Sequence, residues 1–152
     1  MLKFSYQFKG ETMKTKIALA ALLSAAVLYA QDMVISPAQL PNNAQSFLNT
    51  HFKGVNIGLA KKDLDSYDVT LTDGTEIDFI INGEWKEVDG KYKAIPLGFL
   101  PSTLVAKVQV SQPNAQIFKV EKQINGYKFK FNNNMEVYTD FNGNILGQKF
   151  DD

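Results

Sequence analysis

The sequence contains no cysteine and no arginine, and only one histidine and one tryptophan among its 152 residues. Without cysteine there is no disulfide, no thiolate metal ligand, no thiol nucleophile and no lipid-bearing cysteine of a bacterial lipoprotein. Without arginine every basic residue is a lysine. The planar guanidinium that holds phosphate at two points is missing, which argues against a nucleic-acid-binding protein. The single histidine, His51, lacks a second histidine, a cysteine or a positioned nucleophile at the spacing a general base or metal ligand requires. No serine has the flanking glycines of a G-x-S-x-G elbow. The one long apolar run, residues 17–29, is shorter than the roughly 20 residues of a membrane-spanning helix.

That run is also the first positive signal. Lys14 and Lys16 precede it and Ala30 closes it, so residues 1–30 have the layout of a secretory signal. Met13 begins an ordinary signal on its own, which makes residues 1–12 a candidate over-extended start. Leu28, at the third position before the expected cut, is larger than the usual small residue there. The expected mature chain, residues 31–152, is long enough for one domain with its own core. Four of the 16 lysines and one of the 16 acids lie in residues 1–30, so the mature chain carries 12 lysines and 15 acids, a net charge of −3. A periplasmic or secreted protein is expected, with no membrane span in the mature chain.

A constant shift of 60 carries Leu40-Pro41 onto Leu100-Pro101, Ile57 onto Ile117, Tyr67 onto Tyr127, Glu76 onto Glu136 and Asn82-Gly83 onto Asn142-Gly143. The register needs no gap and covers apolar and turn residues alike, which predicts two copies of one supersecondary unit. The first copy spans 40–89, the second 100–149, and residues 90–99 join them. In copy one Ala44, Phe47, Leu48 and Phe52 recur at helical spacing after Pro41, predicting a helix that ends near Gly54. In copy two Leu104 and Val108 hold the apolar positions, but Lys107 replaces Phe47 and the valines predict a shorter helix.

Strands are expected at 55–62, 67–72, 75–81 and 84–88, separated by Asp73-Gly74 and Asn82-Gly83, which read as two-residue hairpin turns. Asn125-Gly126, Asn133-Asn134 and Asn142-Gly143 are the counterparts in copy two. Alternation places Tyr67, Val69, Leu71, Ile77, Phe79 and Ile81, with Tyr127, Phe129, Phe131, Val137 and Phe141, on a covered face. Asp68, Glu76 and Asp78 of copy one, and Lys128, Lys130, Glu136, Tyr138 and Asp140 of copy two, fall on the open face. The apolar junction predicts fusion of both units into one α+β body with an antiparallel sheet of about six to eight strands.

Four ordered segments carry a family likeness: LPNNAQSFLNTHF at 40–52, YDVTLTDGTEIDF at 67–79, NGEWKEVDG at 82–90 and IPLGFLP at 95–101. Together they resemble the PepSY-like, β-lactamase-inhibitor-protein-like family of exported bacterial proteins over nearly the whole mature chain. The resemblance implies a tandem α/β repeat with both helices on one side of an antiparallel sheet and the other side open, the side with which the namesake inhibitors grip a protein. It supplies no catalytic residue. Copy two departs from the pattern, with Ile145 where Trp85 stands in copy one and Ser111-Gln112 in place of His51-Phe52.

Each remaining candidate has a structural reading beside it. His51 suits the carbonyls at a helix C-terminus. The run of oxygen side chains at Asp140, Asn142 and Asn144 suggests a calcium loop but lacks the closing glutamate, so a hairpin turn accounts for it better. Glu76 and Asp78 are spaced like a hydrolytic carboxylate pair, yet solvated acids on a sheet face explain them as well. Trp85 and Tyr92 are candidate binding aromatics or packing residues. The expected function is therefore non-enzymatic, with no cofactor. Asp68, Glu76, Asp78, Lys128, Lys130 and Tyr138 form a partner-binding face for a protein or peptide of the cell envelope, inhibition being a narrower version. The alternative is an envelope carrier of a small ligand or of a metal ion such as calcium.

Overall fold

Pro41 and Pro101 hold φ at −54° and −57°, and neither has an amide hydrogen to leave unpaired ahead of a helix. From each the chain enters a ten-residue helix, α1 at Asn42–His51 and α2 at Ser102–Ser111. The computed structural model describes residues 32–152, so the signal segment and alternative start expected in residues 1–30 lie outside the described residues. Helix α1 buries Ala44 and Leu48, and α2 buries Leu104 and Val108, in both cases four residues apart on one helical face. The expectation of a shorter second helix is corrected: α2 matches α1 in length. Val105 and Val108 are packed into the core, which outweighs a propensity cost of roughly half a kcal/mol per valine.

Nine strands follow in order: β1 Met33–Ile35, β2 Ile57–Lys62, β3 Ser66–Leu71, β4 Glu76–Ile80, β5 Trp85–Asp89, β6 Ile117–Gln123, β7 Gly126–Phe131, β8 Met135–Thr139 and β9 Ile145–Phe150. They form one sheet whose spatial order is their sequence order. The pairing throughout is antiparallel. The strand beyond the expected range is β1, which places Ile35 opposite Ala60. From Ile35 an apolar row crosses the sheet through Ala60, Val69, Ile77, Val88, Val120, Phe129 and Val137. Directly paired residues share a face, so this row and the buried helix residues form one core. Phe79 and Phe129 are completely buried there, each stabilising the fold by about 2–3 kcal/mol relative to exposure. The junction is held down by Ile95 and Leu100, both buried, and by the Ile95 amide donating to the Ile117 carbonyl at 3.1 Å.

Ile81 and Phe141, expected on the covered face, are instead about half exposed. The cause is loop length. The amides of Ile80 and Asp140 donate to the carbonyls of Glu84 and Asn144, closing three-residue loops where two-residue turns were expected. Ile81 and Phe141 are therefore the first loop residues and leave the strand alternation. Each loop ends in a glycine at φ +87°, Gly83 and Gly143, a left-handed conformation that glycine adopts without side-chain strain. Both loops are tied to a helix: Asn43 Nδ2 donates to the Asn82 carbonyl at 2.9 Å, and Lys107 Nζ to the Asn142 carbonyl at 3.2 Å.

Candidate functional site

Residues adjacent in a strand point to opposite faces, so the core row fixes what lies on the other side of the sheet. One row on the open face runs Lys61, Asp68, Asp78, Glu87, Glu121, Lys128, Tyr138, Gly147 from β2 to β9. The next runs Leu59, Thr70, Glu76, Asp89, Lys119, Lys130, Glu136, Lys149. All six residues singled out in the sequence, Asp68, Glu76, Asp78, Lys128, Lys130 and Tyr138, occupy these two rows. Glu87, Asp89, Glu121, Lys119 and Lys149 were missed. Alternation within β5 and β6 marks Glu87 and Glu121 as outward, but their direct opposition depends on the β5–β6 pairing that joins the two halves, which no local signal specifies.

The face is divided by charge. Asp68, Asp78, Glu87 and Glu121 are four acids directly opposite one another on consecutive strands, an arrangement that repels. Burial, together with the charges of Asp68 and Glu87, pushes Asp78 up to about 6 from the usual 3.8. Lysines offset the other acids. Lys119 lies 2.9 Å from Glu87 and 3.9 Å from Asp89. Burial works against its charge, but the hydrogen bond and charge of Glu87 prevail and raise its pKa. Lys128 lies 3.4 Å from Glu121, and Lys91 lies 2.9 Å from Glu76 and 3.4 Å from Asp89. Toward β9, Lys130 meets Asp151 at 2.6 Å, and Glu136, which is buried, accepts from the Tyr138 hydroxyl at 2.7 Å and faces Lys149 at 3.6 Å.

Two shallow depressions follow this division, each with a volume of about 290 Å³. One is lined by Lys61, Asp68, Glu76 and Asp78. The other, where Lys91, Lys119 and Lys130 outnumber the single acid Asp89, includes two asparagines, Asn132 and Asn134. Such a surface can bind charged groups by complementarity, and it lacks the enclosure that sequesters a reacting substrate from water.

The other sequence candidates take structural parts. His51 closes α1, with its ring 4.9 Å from that of Phe47 and 5.7 Å from that of Phe99. Asp140 Oδ1 accepts from the amides of Asn142 and Asn144, both at 2.9 Å, while Oδ2 accepts from Asn144 Nδ2 at 2.8 Å. Its lone pairs serve the loop, and the Asn144 hydrogen bond leads in lowering its pKa. Among the described residues no three His, Cys, Asp or Glu side chains converge as a metal site. Glu76 and Asp78 share a face, but Glu76 is paired with Lys91, and the strand neighbour of Asp78 is Asp68. Trp85 is half-buried, between Phe99 at 5.0 Å and Tyr127, stacked at 6.1 Å, with Lys122 Nζ 4.5 Å from its ring centre. Tyr92 is 94% exposed.

A protein family described as "Putative beta-lactamase-inhibitor-like, PepSY-like" matches residues 65–147. Three solved structures, all of proteins described as "putative" periplasmic proteins, are similar to this chain. One, assigned to the DUF2874 family of Bacteroides vulgatus ATCC 8482, is 33% identical with a TM-score of 0.73, over 78% of this chain and 97% of that one. A second, called calcium-regulated, comes from Bacteroides thetaiotaomicron and is 31% identical with a TM-score of 0.72, over 78% and 96%. A third, called a protein of unknown function, again from Bacteroides vulgatus ATCC 8482, is 32% identical with a TM-score of 0.72, over 78% and 99%. No curated protein matches the sequence.

Proposed function

The chain belongs to the PepSY-like, β-lactamase-inhibitor-like family of exported proteins, and we propose that it is a non-enzymatic protein that holds a protein or peptide of the cell envelope across its open sheet face. Its periplasmic relatives place it in the right compartment for such a partner. The observation that carries the reading is the sheet's division of labour. One face is the core, while the other presents a broad surface with acids toward β3–β6 and lysines toward β6–β9. Complementary charge speeds encounter and fixes register more than it deepens affinity. Binding is therefore expected to be fast and sensitive to salt. Inhibition of a partner enzyme is the narrower form of this reading.

We further propose that residues 40–89 and 100–149 are two copies of one unit, both helices covering the same side of the sheet. Support comes from the shift of 60 that relates α1 to α2 and from the strand irregularities, at 57/59 and 117/119 and at 78/79 and 138/139.

The test is capture from an envelope extract with residues 31–152 as bait, beside two folded variants: Lys128→Ala/Lys130→Ala/Tyr138→Ala and Asp68→Asn/Asp78→Asn. A partner kept by the native bait and lost by either variant supports the reading, and its Kd and inhibition are then measured with purified components. Equal retention by all three baits removes the open face from the interaction. The calcium-carrier alternative has a different signature, a calcium-dependent rise in melting temperature, and is suggested by the name of one relative.

A further inference from the structure

Among the described residues the sheet has no strand beyond β1 or β9, and the two ends differ. Strand β1 has three residues, whereas β9 has six and pairs with β8 alone. An uncovered edge strand is a template for pairing, and proteins usually blunt it by shortening, proline or charge. By that standard β1 is blunted and β9 is not: it has no proline, one lysine, and three exposed apolar residues, Ile145, Leu146 and Phe150, the last two 64% and 59% exposed.

The backbone groups on that edge follow from the register. The Asp151 amide donates to the Asn134 carbonyl at 2.8 Å, and the β8–β9 register pairs Glu136 with Lys149 and Tyr138 with Gly147. Hydrogen-bonded pairs alternate along an antiparallel ladder. Lys149 and Gly147 thus spend their backbone groups on β8, and Gln148 and Phe150 turn theirs outward.

We infer that β9 pairs antiparallel with β9 of a second copy about a two-fold axis at Gln148, giving one eighteen-stranded sheet. In that register Lys149 lies opposite Gly147 of the other copy, where a side chain has open space: a Cβ built there meets no atom within 4 Å. Phe150 lies opposite the other copy's Leu146, so the two most exposed apolar residues of the edge cover each other. A register one step away sets Lys149 against itself, a like-charge opposition that disfavours it. Because β1 is too short to serve as a second competent edge, the contact closes as a dimer and does not propagate as a filament. A contact made by one six-residue strand from each copy belongs at the small end of the interface size range, so the dimer is weak and reversible. This inference is independent of what the open face binds.

The experiment uses residues 31–152. Sedimentation equilibrium from 10 μM to 1 mM is expected to show mass rising toward twice the monomer. Gln148→Pro, which removes an outward amide and leaves the β8 ladder intact, is expected to raise the dimer Kd at least tenfold, while Gln148→Ala changes it less than threefold. The chain has no native cysteine, so Gln148→Cys gives a folding-independent check. Two-fold-related residues at that position lie within disulfide reach, and mild oxidation is expected to link them at least tenfold faster than Tyr92→Cys, whose site is 94% exposed. A monomer throughout the range, or equal cross-linking of the two cysteine variants, overturns the proposal. A dimer of unchanged Kd in a folded Gln148→Pro variant also overturns it, by placing the contact elsewhere.

Discussion

Replacing Asp78 by asparagine should stabilise the protein at neutral pH and leave it unchanged in acid. Asp78 is partly buried opposite Asp68 and Glu87, and its pKa is pushed up to about 6 from the ordinary 3.8. Between pH 4 and 6 the folded chain therefore binds more protons than the unfolded chain, and stability falls as the pH rises through that interval. A displacement of about two pKa units corresponds to at most about 3 kcal/mol. Solvent reaches part of this carboxylate, so screening reduces the figure to about 1–2 kcal/mol. Asparagine has the same shape, keeps an N–H to donate toward Asp68, and is never charged. At pH 7.5 Asp78→Asn should raise the melting temperature by about 4–8 °C, since 1 kcal/mol moves a domain of this size by roughly 4 °C. At pH 4 and below the gain should vanish, because the native residue is then protonated in the folded state. Calorimetry at pH 3.5, 5.5 and 7.5 reads this directly. A variant that is less stable at pH 7.5, or equally stabilised at every pH, would refute the electrostatic account of the acidic row.

Other positions test the fold. Phe129 is completely buried in the apolar row, and Phe129→Ala should cost about 3–5 kcal/mol in urea unfolding. Gly143 sits at φ +87°, with a built Cβ 3.0 Å from the Leu104 Cα, whereas Gly147 has open space; Gly143→Ala should cost at least about 1–2 kcal/mol and Gly147→Ala less than about 0.5 kcal/mol. The Thr139 hydroxyl is buried and has no hydrogen-bond partner among the described residues, so Thr139→Val, which removes it at nearly constant shape, should stabilise by about 1 kcal/mol, read as a shift of the denaturant midpoint.

The parts of the fold that were legible in the sequence are those with a strong period or a residue of restricted geometry. Proline at 41 and 101 located both helix starts, and alternation from Tyr67 to Phe79 assigned strand faces correctly because its period is 2. Signals of equal local strength misled where geometry is decided by hydrogen bonds a few residues apart. Asn-Gly fits a two-residue turn or the end of a three-residue loop, and only the bonds from Ile80 to Glu84 and from Asp140 to Asn144 choose between them. Strand β1 was invisible because three residues carry almost no periodicity. The open-face residues were legible one strand at a time, but the four-acid row depends on which strands become neighbours, and the decisive pair, Glu87 with Glu121, lies 34 positions apart in sequence.

The four-acid row is what separates the proposed binding surface from an ordinary solvated sheet. A sheet selected only for stability would place lysines opposite acids, as Lys128 stands opposite Glu121 and Lys61 opposite Asp68 at the ends of the row. Between those ends three successive acid-against-acid contacts occur, and burial together with the charges of Asp68 and Glu87 raises the pKa of Asp78. Lys119 and Lys91 relieve Glu87, Glu76 and Asp89 from the neighbouring row, while Asp78 bears the cost of its ionised form at neutral pH. Sites that sacrifice local stability tend to be functional. A cationic group of a partner laid over Asp68 and Asp78 would return that free energy on binding, so the Asp78→Asn variant should be the more stable protein and the weaker binder. A variant that gains stability and keeps full affinity would assign the row to the fold alone.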